Sequence, residues 1–107
     1  MSTLIATNRV SLIVGLGATG FSVARYLHES GRSFCVADES PRDVVIQQFQ
    51  QSFPGSKLLQ GPFQYENWTE FDEIILSPGV PRKHPAIQAA IDAGISVVGD
   101  VELFLRK

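Results

Sequence analysis

Residues Val10 to Gly20 read Val-Ser-Leu-Ile-Val-Gly-Leu-Gly-Ala-Thr-Gly, and no other stretch limits so strongly what the chain can fold into. An apolar run stops at a Gly-x-Gly-x-x-Gly loop, and a helical pattern follows at once. That order predicts a strand, a glycine turn and a helix whose N-terminus faces the turn. Free backbone N–H groups and the positive end of the helix dipole then converge on one spot, which suits a phosphate or diphosphate. In this reading Gly15 permits the tight turn, Gly17 lets a ligand phosphate approach the backbone, and Gly20 lets the helix pack close to the strand. Taken alone, the loop also fits a strand-to-helix turn that binds nothing.

Position adds to the signal. Asp38 ends a second apolar segment, Phe34 to Ala37. An acidic residue about twenty positions past the glycine loop can accept hydrogen bonds from a ribose hydroxyl or a base N–H. A solvated strand end is the other reading of Asp38. A third loop, Ser77-Pro78-Gly79, follows the apolar run Glu73 to Leu76. Pro78 fixes the turn, Gly79 lets another group approach the main chain, and Ser77 offers a hydroxyl to a sugar or phosphate oxygen. A plain strand-to-helix connection fits that loop as well.

The rest of the chain alternates in the same way. Residues 1–8 read as a lead-in. Strands are expected at Val10–Val14, Phe34–Ala37, Lys57–Leu59, Glu73–Leu76 and Ser96–Val98. A helix is expected over Thr19–Ser30, with Phe21, Ala24 and Leu27 on one face and Gly31 as its stop. Ser40-Pro41-Arg42-Asp43 reads as a helix start with a serine cap; that helix carries Val45, Ile46 and Phe49, and its glutamines form the wet face. Residues 61–72 read as a loop anchored by Trp68 and Phe71. Pro85–Ala93 is expected as a helix with Ile87, Ala90 and Ile91 inward and Gly94 as its stop. Asp100 is expected to cap a last helix through Arg106.

Alternating strands and helices predict an α/β, Rossmann-like, doubly wound sheet of about five mostly parallel strands with helices on both faces. In such sheets ligands sit beyond the carboxyl ends of the strands, at the switch point. That edge would gather Gly17, Ala18, Thr19 and Gly20 with Asp38, Glu39 and Ser40 and with Ser77, Pro78 and Gly79. The 107 residues suit one domain, and a net charge of -2 argues against a basic nucleic-acid surface. One cysteine, Cys35, excludes an internal disulfide framework and fits a reducing cytoplasm. No apolar run reaches membrane-spanning length, and no signal-peptide core precedes the first strand. His28 reads as a solvated helix residue and His84 as a helix start. No catalytic residue and no metal site is expected.

With these loops in place, the chain resembles the N-terminal domain of the Mur ligases, most of all the branch that adds D-glutamate. The resemblance is carried by Gly15 to Gly20 with Ser22, Asp38, Ser77 to Val80, His84-Pro85, Asp92 to Ile95, and Gly99 to Phe104. It implies a domain, residues 9–99, that holds the UDP part of UDP-N-acetylmuramoyl-L-alanine. Ala18 and Thr19 would meet the diphosphate through backbone amides and the Thr19 hydroxyl. Asp38 would hold the uridine, and Ser77 and Gly79 would lie along the diphosphate and amino sugar. Glu39 and Ser40 stand where hydroxyl and arginine side chains help hold the uracil in that family, and Arg42 would be the substitute that swings in. The family reaction activates the substrate carboxyl with ATP and Mg2+ as an acyl phosphate, which D-glutamate attacks. That needs a phosphate loop with a lysine, and none of Lys57, Lys83 and Lys107 sits in one. Residues 100–107 are therefore expected to lead into an ATP-binding central domain outside this chain, with a C-terminal domain beyond it. On this reading the fragment is inactive alone, and the parent enzyme is cytoplasmic. A nicotinamide-dinucleotide domain of a dehydrogenase or regulatory protein is one alternative, which leaves the Ser77 loop and the Gly99 to Phe104 segment unexplained; a Rossmann-like protein-interaction module that binds no nucleotide is the other.

Overall fold

The computed structural model describes residues 10–99, apart from the side chain of Asn67. The elements run β1 (Val10–Val14), α1 (Ala18–Glu29), β2 (Ser33–Asp38), α2 (Asp43–Ser52), β3 (Lys57–Gln60), a 3-10 turn (Tyr65–Trp68), β4 (Glu73–Leu76), α3 (Pro85–Asp92) and β5 (Ser96–Gly99). The five strands form one sheet in the order β3-β2-β1-β4-β5, and every pairing is parallel. The expected α/β, Rossmann-like architecture is present, with the switch point between β1 and β4. The lead-in over residues 1–8 and the helix from Asp100 lie outside the described residues.

Side chains that alternate along a strand point to opposite faces, and β1 divides the core accordingly. Ile13 joins Val23, Ala24 and Leu27 of α1 and Phe49 of α2 on one face. Leu12 and Val14 join Trp68, Phe71 and the α3 residues Ala86, Ile87 and Ala90 on the other. Trp68, the last residue of the 3-10 turn, and Phe71 anchor their loop as expected. Gln47, Gln48, Gln50 and Gln51 are exposed, the wet face of α2. Gly31, with φ of +72°, follows the end of α1.

Two expectations fail. Ser40 does not cap α2. Its N–H donates to Asp38 Oδ1 at 3.0 Å, which closes a tight turn before Pro41. Arg42 takes the N-cap position in extended conformation, with no side-chain cap bond, and α2 begins at Asp43. Ile91 is 37% exposed rather than inward. At about 100° per residue, Ala86, Ile87 and Ala90 centre on a direction that leaves Ile91 roughly a quarter-turn away. Cys35 is half-buried.

The strand register sets the functional edge. Val14 is level with Ala37 of β2 and with Leu76 of β4. The next residue of each strand or loop is therefore Gly15, Asp38 or Ser77, and the three stand side by side. Backbone bonds continue the ladder for one more step, from Gly15 N–H to Ala37 O at 2.8 Å and from Ser77 N–H to Val14 O at 3.0 Å.

Candidate functional site at the carboxyl edge of the sheet

Gly15 turns the chain with φ of +103°, a region that favours glycine, and a Cβ there would lie 2.9 Å from Ser77 Cβ. Gly20, in the first turn of α1, passes so close to the Gly15 carbonyl oxygen that a Cβ would collide with it. Glycine at both positions is thus a condition for α1 to start directly above β1. A Cβ on Gly17 would meet nothing within 4 Å, so the backbone there lies open to an approaching group.

Side chains from the neighbouring loops hold this turn. Asp38 Oδ2 accepts the Leu16 N–H at 2.7 Å, while Oδ1 holds Ser40. Ser77 is buried, and its Oγ donates to the Gly15 carbonyl at 2.8 Å. Asp38 and Ser77 therefore brace the glycine loop from its two sides. Each Asp38 oxygen keeps a second lone pair for an incoming donor. The Ser77 hydrogen, in contrast, is already engaged within the protein.

The start of α1 is bare. Its N-cap is Gly17, no side chain caps it, and no acidic residue stands in its first turn. The N–H groups of Gly17, Ala18, Thr19 and Gly20 have no intrahelical acceptor. These residues line a cleft of about 470 Å³ together with Asp38, Glu39, Ser40, Ser77, Pro78 and Gly79. All ten residues expected at the site from the sequence thus face one cleft. Chemically it offers main-chain donors and a positive dipole end to an anion, and a carboxylate to hydroxyl or N–H donors. On the other side of Asp38, a groove of about 740 Å³ between α1 and α2 is lined by Arg25 and Arg42.

Phe63 and His84 also line the cleft, and sequence reasoning missed both as site residues. Phe63 belongs to an irregular loop with no pattern to single it out. His84 does start α3 as expected: its Nδ1 accepts the Ala86 N–H at 3.1 Å. Its place after the Ser77 loop was the only signal that it stands at the same edge. His28 is exposed, with its ring edge-on to Phe53 at 5.6 Å. Burial pushes the Cys35 thiol above its ordinary 9.0, opposite to what a reactive nucleophile needs. Among the described residues, no cluster of histidine, cysteine and acidic side chains is placed to hold a metal ion, and no helix is long and apolar enough to cross a membrane.

Comparison with known proteins agrees with this geometry. Residues 9–99 match the family model for the Mur ligase MurD-like N-terminal domain. The UDP-N-acetylmuramoylalanine--D-glutamate ligase of Saccharophagus degradans is 40% identical over 112 residues, a match that covers 100% of this chain and 25% of that protein. The ligase of the same name from Methylobacillus flagellatus is 44% identical over 95 residues, covering 89% of this chain and 21% of that protein. The chain therefore spans about a quarter of the length of the curated relatives it matches. Two crystal structures share the fold at low identity. UDP-N-acetylmuramate:L-alanyl-gamma-D-glutamyl-meso-diaminopimelate ligase from Neisseria meningitides superposes with a TM-score of 0.71 at 19% identity, over 86% of this chain and 28% of that one. UDP-N-acetylmuramate-alanine ligase from Thermotoga maritima gives 0.67 at 16% identity, over 90% of this chain and 21% of that one. A bare helix start in a braced glycine loop, and a family match across the whole described fold, lead to one assignment: the chain belongs to the MurD-like N-terminal domain family of the Mur ligases.

Proposed function

We propose that this domain holds the UDP portion of UDP-N-acetylmuramoyl-L-alanine, the substrate to which a whole enzyme of this family adds D-glutamate. The observation that carries the reading is the uncapped N-terminus of α1 opening onto the cleft. Its N–H groups at Gly17, Ala18, Thr19 and Gly20 receive the diphosphate, with the Thr19 hydroxyl beside them. Asp38 accepts from the uridine with its remaining lone pairs, and Glu39 and Ser40 border the same end. Ser77 acts mainly by fixing Gly15, while Pro78 and Gly79, both exposed, border the diphosphate and amino sugar.

The chemistry belongs to the rest of the enzyme. ATP and Mg2+, bound by a central domain, activate the substrate carboxyl as an acyl phosphate, and the D-glutamate amine attacks it to form the amide. A C-terminal domain completes the assembly, which works in the cytoplasm. This chain alone binds and does not catalyse.

An amide NMR titration with UDP-N-acetylmuramoyl-L-alanine, UDP and NAD in parallel tests the reading. The UDP compounds should shift Gly17 to Gly20, Asp38 and Ser77 to Gly79. Affinity in the isolated domain should be on the order of 0.1 to 1 mM, about 4 to 5.5 kcal/mol. Asp38→Ala should weaken binding more than Ser40→Ala, because Asp38 also holds Leu16. Shifts at the glycine loop with NAD alone would replace the proposal with a dinucleotide-binding domain.

A further inference from the structure

The cleft contains a second pair of donors, and the chain itself occupies them. Glu39 Oε2 accepts the Phe63 N–H at 3.4 Å and lies 3.4 Å from His84 Nε2. The capping bond from Ala86 N–H to His84 Nδ1 leaves the hydrogen of a neutral imidazole on Nε2. That hydrogen is on the nitrogen facing Glu39. The two donors also share a firm base. The Phe63 ring packs between His84, at 5.2 Å, and Trp68, at 5.5 Å, and Trp68 is only 2% exposed. The Glu39 side chain, by contrast, is 48% exposed. A fixed pair of donors thus meets a carboxylate that is free to leave.

We propose that Glu39 is a specificity-determining residue that competes with the ligand: its carboxylate engages the Phe63 N–H and His84 Nε2–H pair, and a neutral acceptor oxygen of the bound nucleotide-sugar displaces it. The inference rests on reading the cleft as the nucleotide-sugar site. A base carbonyl and a sugar hydroxyl share the acceptor chemistry that the pair recognises. The displaced carboxylate turns toward water, so binding carries the cost of breaking its contacts. Its negative charge also disfavours ligands that bring a further anion to this end of the cleft.

The test is calorimetric titration of the 107-residue chain with UDP and with UDP-N-acetylmuramoyl-L-alanine, for the wild type, Glu39→Gln, Glu39→Ala and Glu39→Ala/His84→Asn. His84→Asn keeps a capping oxygen and removes the Nε2–H. Glu39→Ala should bind on the order of threefold to tenfold tighter, and Glu39→Gln should fall between it and the wild type. Adding His84→Asn, which leaves the Phe63 N–H in place, should take back a large part of the gain. A gain with UDP assigns the displacing oxygen to the nucleoside, and a gain with the sugar nucleotide alone assigns it to the sugar. In the ligand-free Glu39→Ala spectrum the Phe63 amide proton should move upfield. Binding by the wild type with no gain in Glu39→Ala, or a gain that survives His84→Asn undiminished, overturns this proposal alone. No binding by any variant overturns the nucleotide reading and this proposal together.

Discussion

The N-termini of α1 and α3 stand at the same edge of the sheet and end in opposite ways. His84 caps α3 through its own ring, and Pro85 occupies the first turn, where a missing N–H costs nothing. Gly17 caps α1 without a side chain, and its first turn holds no acid. The third helix among the described residues, α2, lies between these cases: no side chain caps it, but Asp43 supplies a negative charge in its first turn. A helix that satisfies its own first turn has little left for a ligand. Of the three, α1 alone keeps both its donors and its dipole for an outside anion. Its loop is also the one braced from both sides, by Asp38 and by Ser77.

The largest expected effect comes from closing the gap that lets α1 sit above β1. Gly20→Ala forces a methyl group against the Gly15 carbonyl and should cost about 1 to 3 kcal/mol, measured by urea denaturation, with loss of UDP binding. Unchanged stability would mean that α1 can shift freely, and the comparison of helix starts would lose its footing. Ala18→Asp gives α1 the kind of charge that α2 carries. It should weaken UDP binding at least about tenfold, near 1.4 kcal/mol, while raising stability by about 0.3 to 1 kcal/mol. A parallel loss of both would show that the substitution merely damages the helix. His84→Ala should lower stability by about 1 kcal/mol through loss of the α3 cap, with His84→Asn restoring most of it. Equal losses in the two variants would assign the effect to packing against Phe63 rather than to capping.

The legible parts of this molecule were the local ones. The strand limits at Val10–Val14 and Glu73–Leu76 follow from short apolar runs that stop at turn residues. Gly15 and Gly20 announced themselves because a tight turn and a close helix approach both exclude a side chain. The error at Ser40 is instructive on the same ground. A serine before proline and an acid satisfies every local rule for a cap, yet Arg42 stays extended and the helix begins only at Asp43. The error at Ile91 came from counting a helical stripe without knowing the direction of the sheet beneath it.

By itself the sequence determined the alternation of elements, the glycine turn and the helix that starts from it, since each depends on steric and dipolar preferences within a few residues. It also carried, through several separate motifs, the resemblance that the family match later bore out. Only the tertiary structure decided how the loops divide their work. The parallel register brings Gly15, Asp38 and Ser77 level, and hydrogen bonds between residues 22 and 62 positions apart then commit Asp38 to Leu16 and Ser77 to Gly15. The meeting of Glu39 with Phe63 and His84 is of the same kind. A side chain's hydrogen bonds go to whichever groups the fold places within about 3 Å, and that distance is set by packing across the sheet rather than by spacing along the chain.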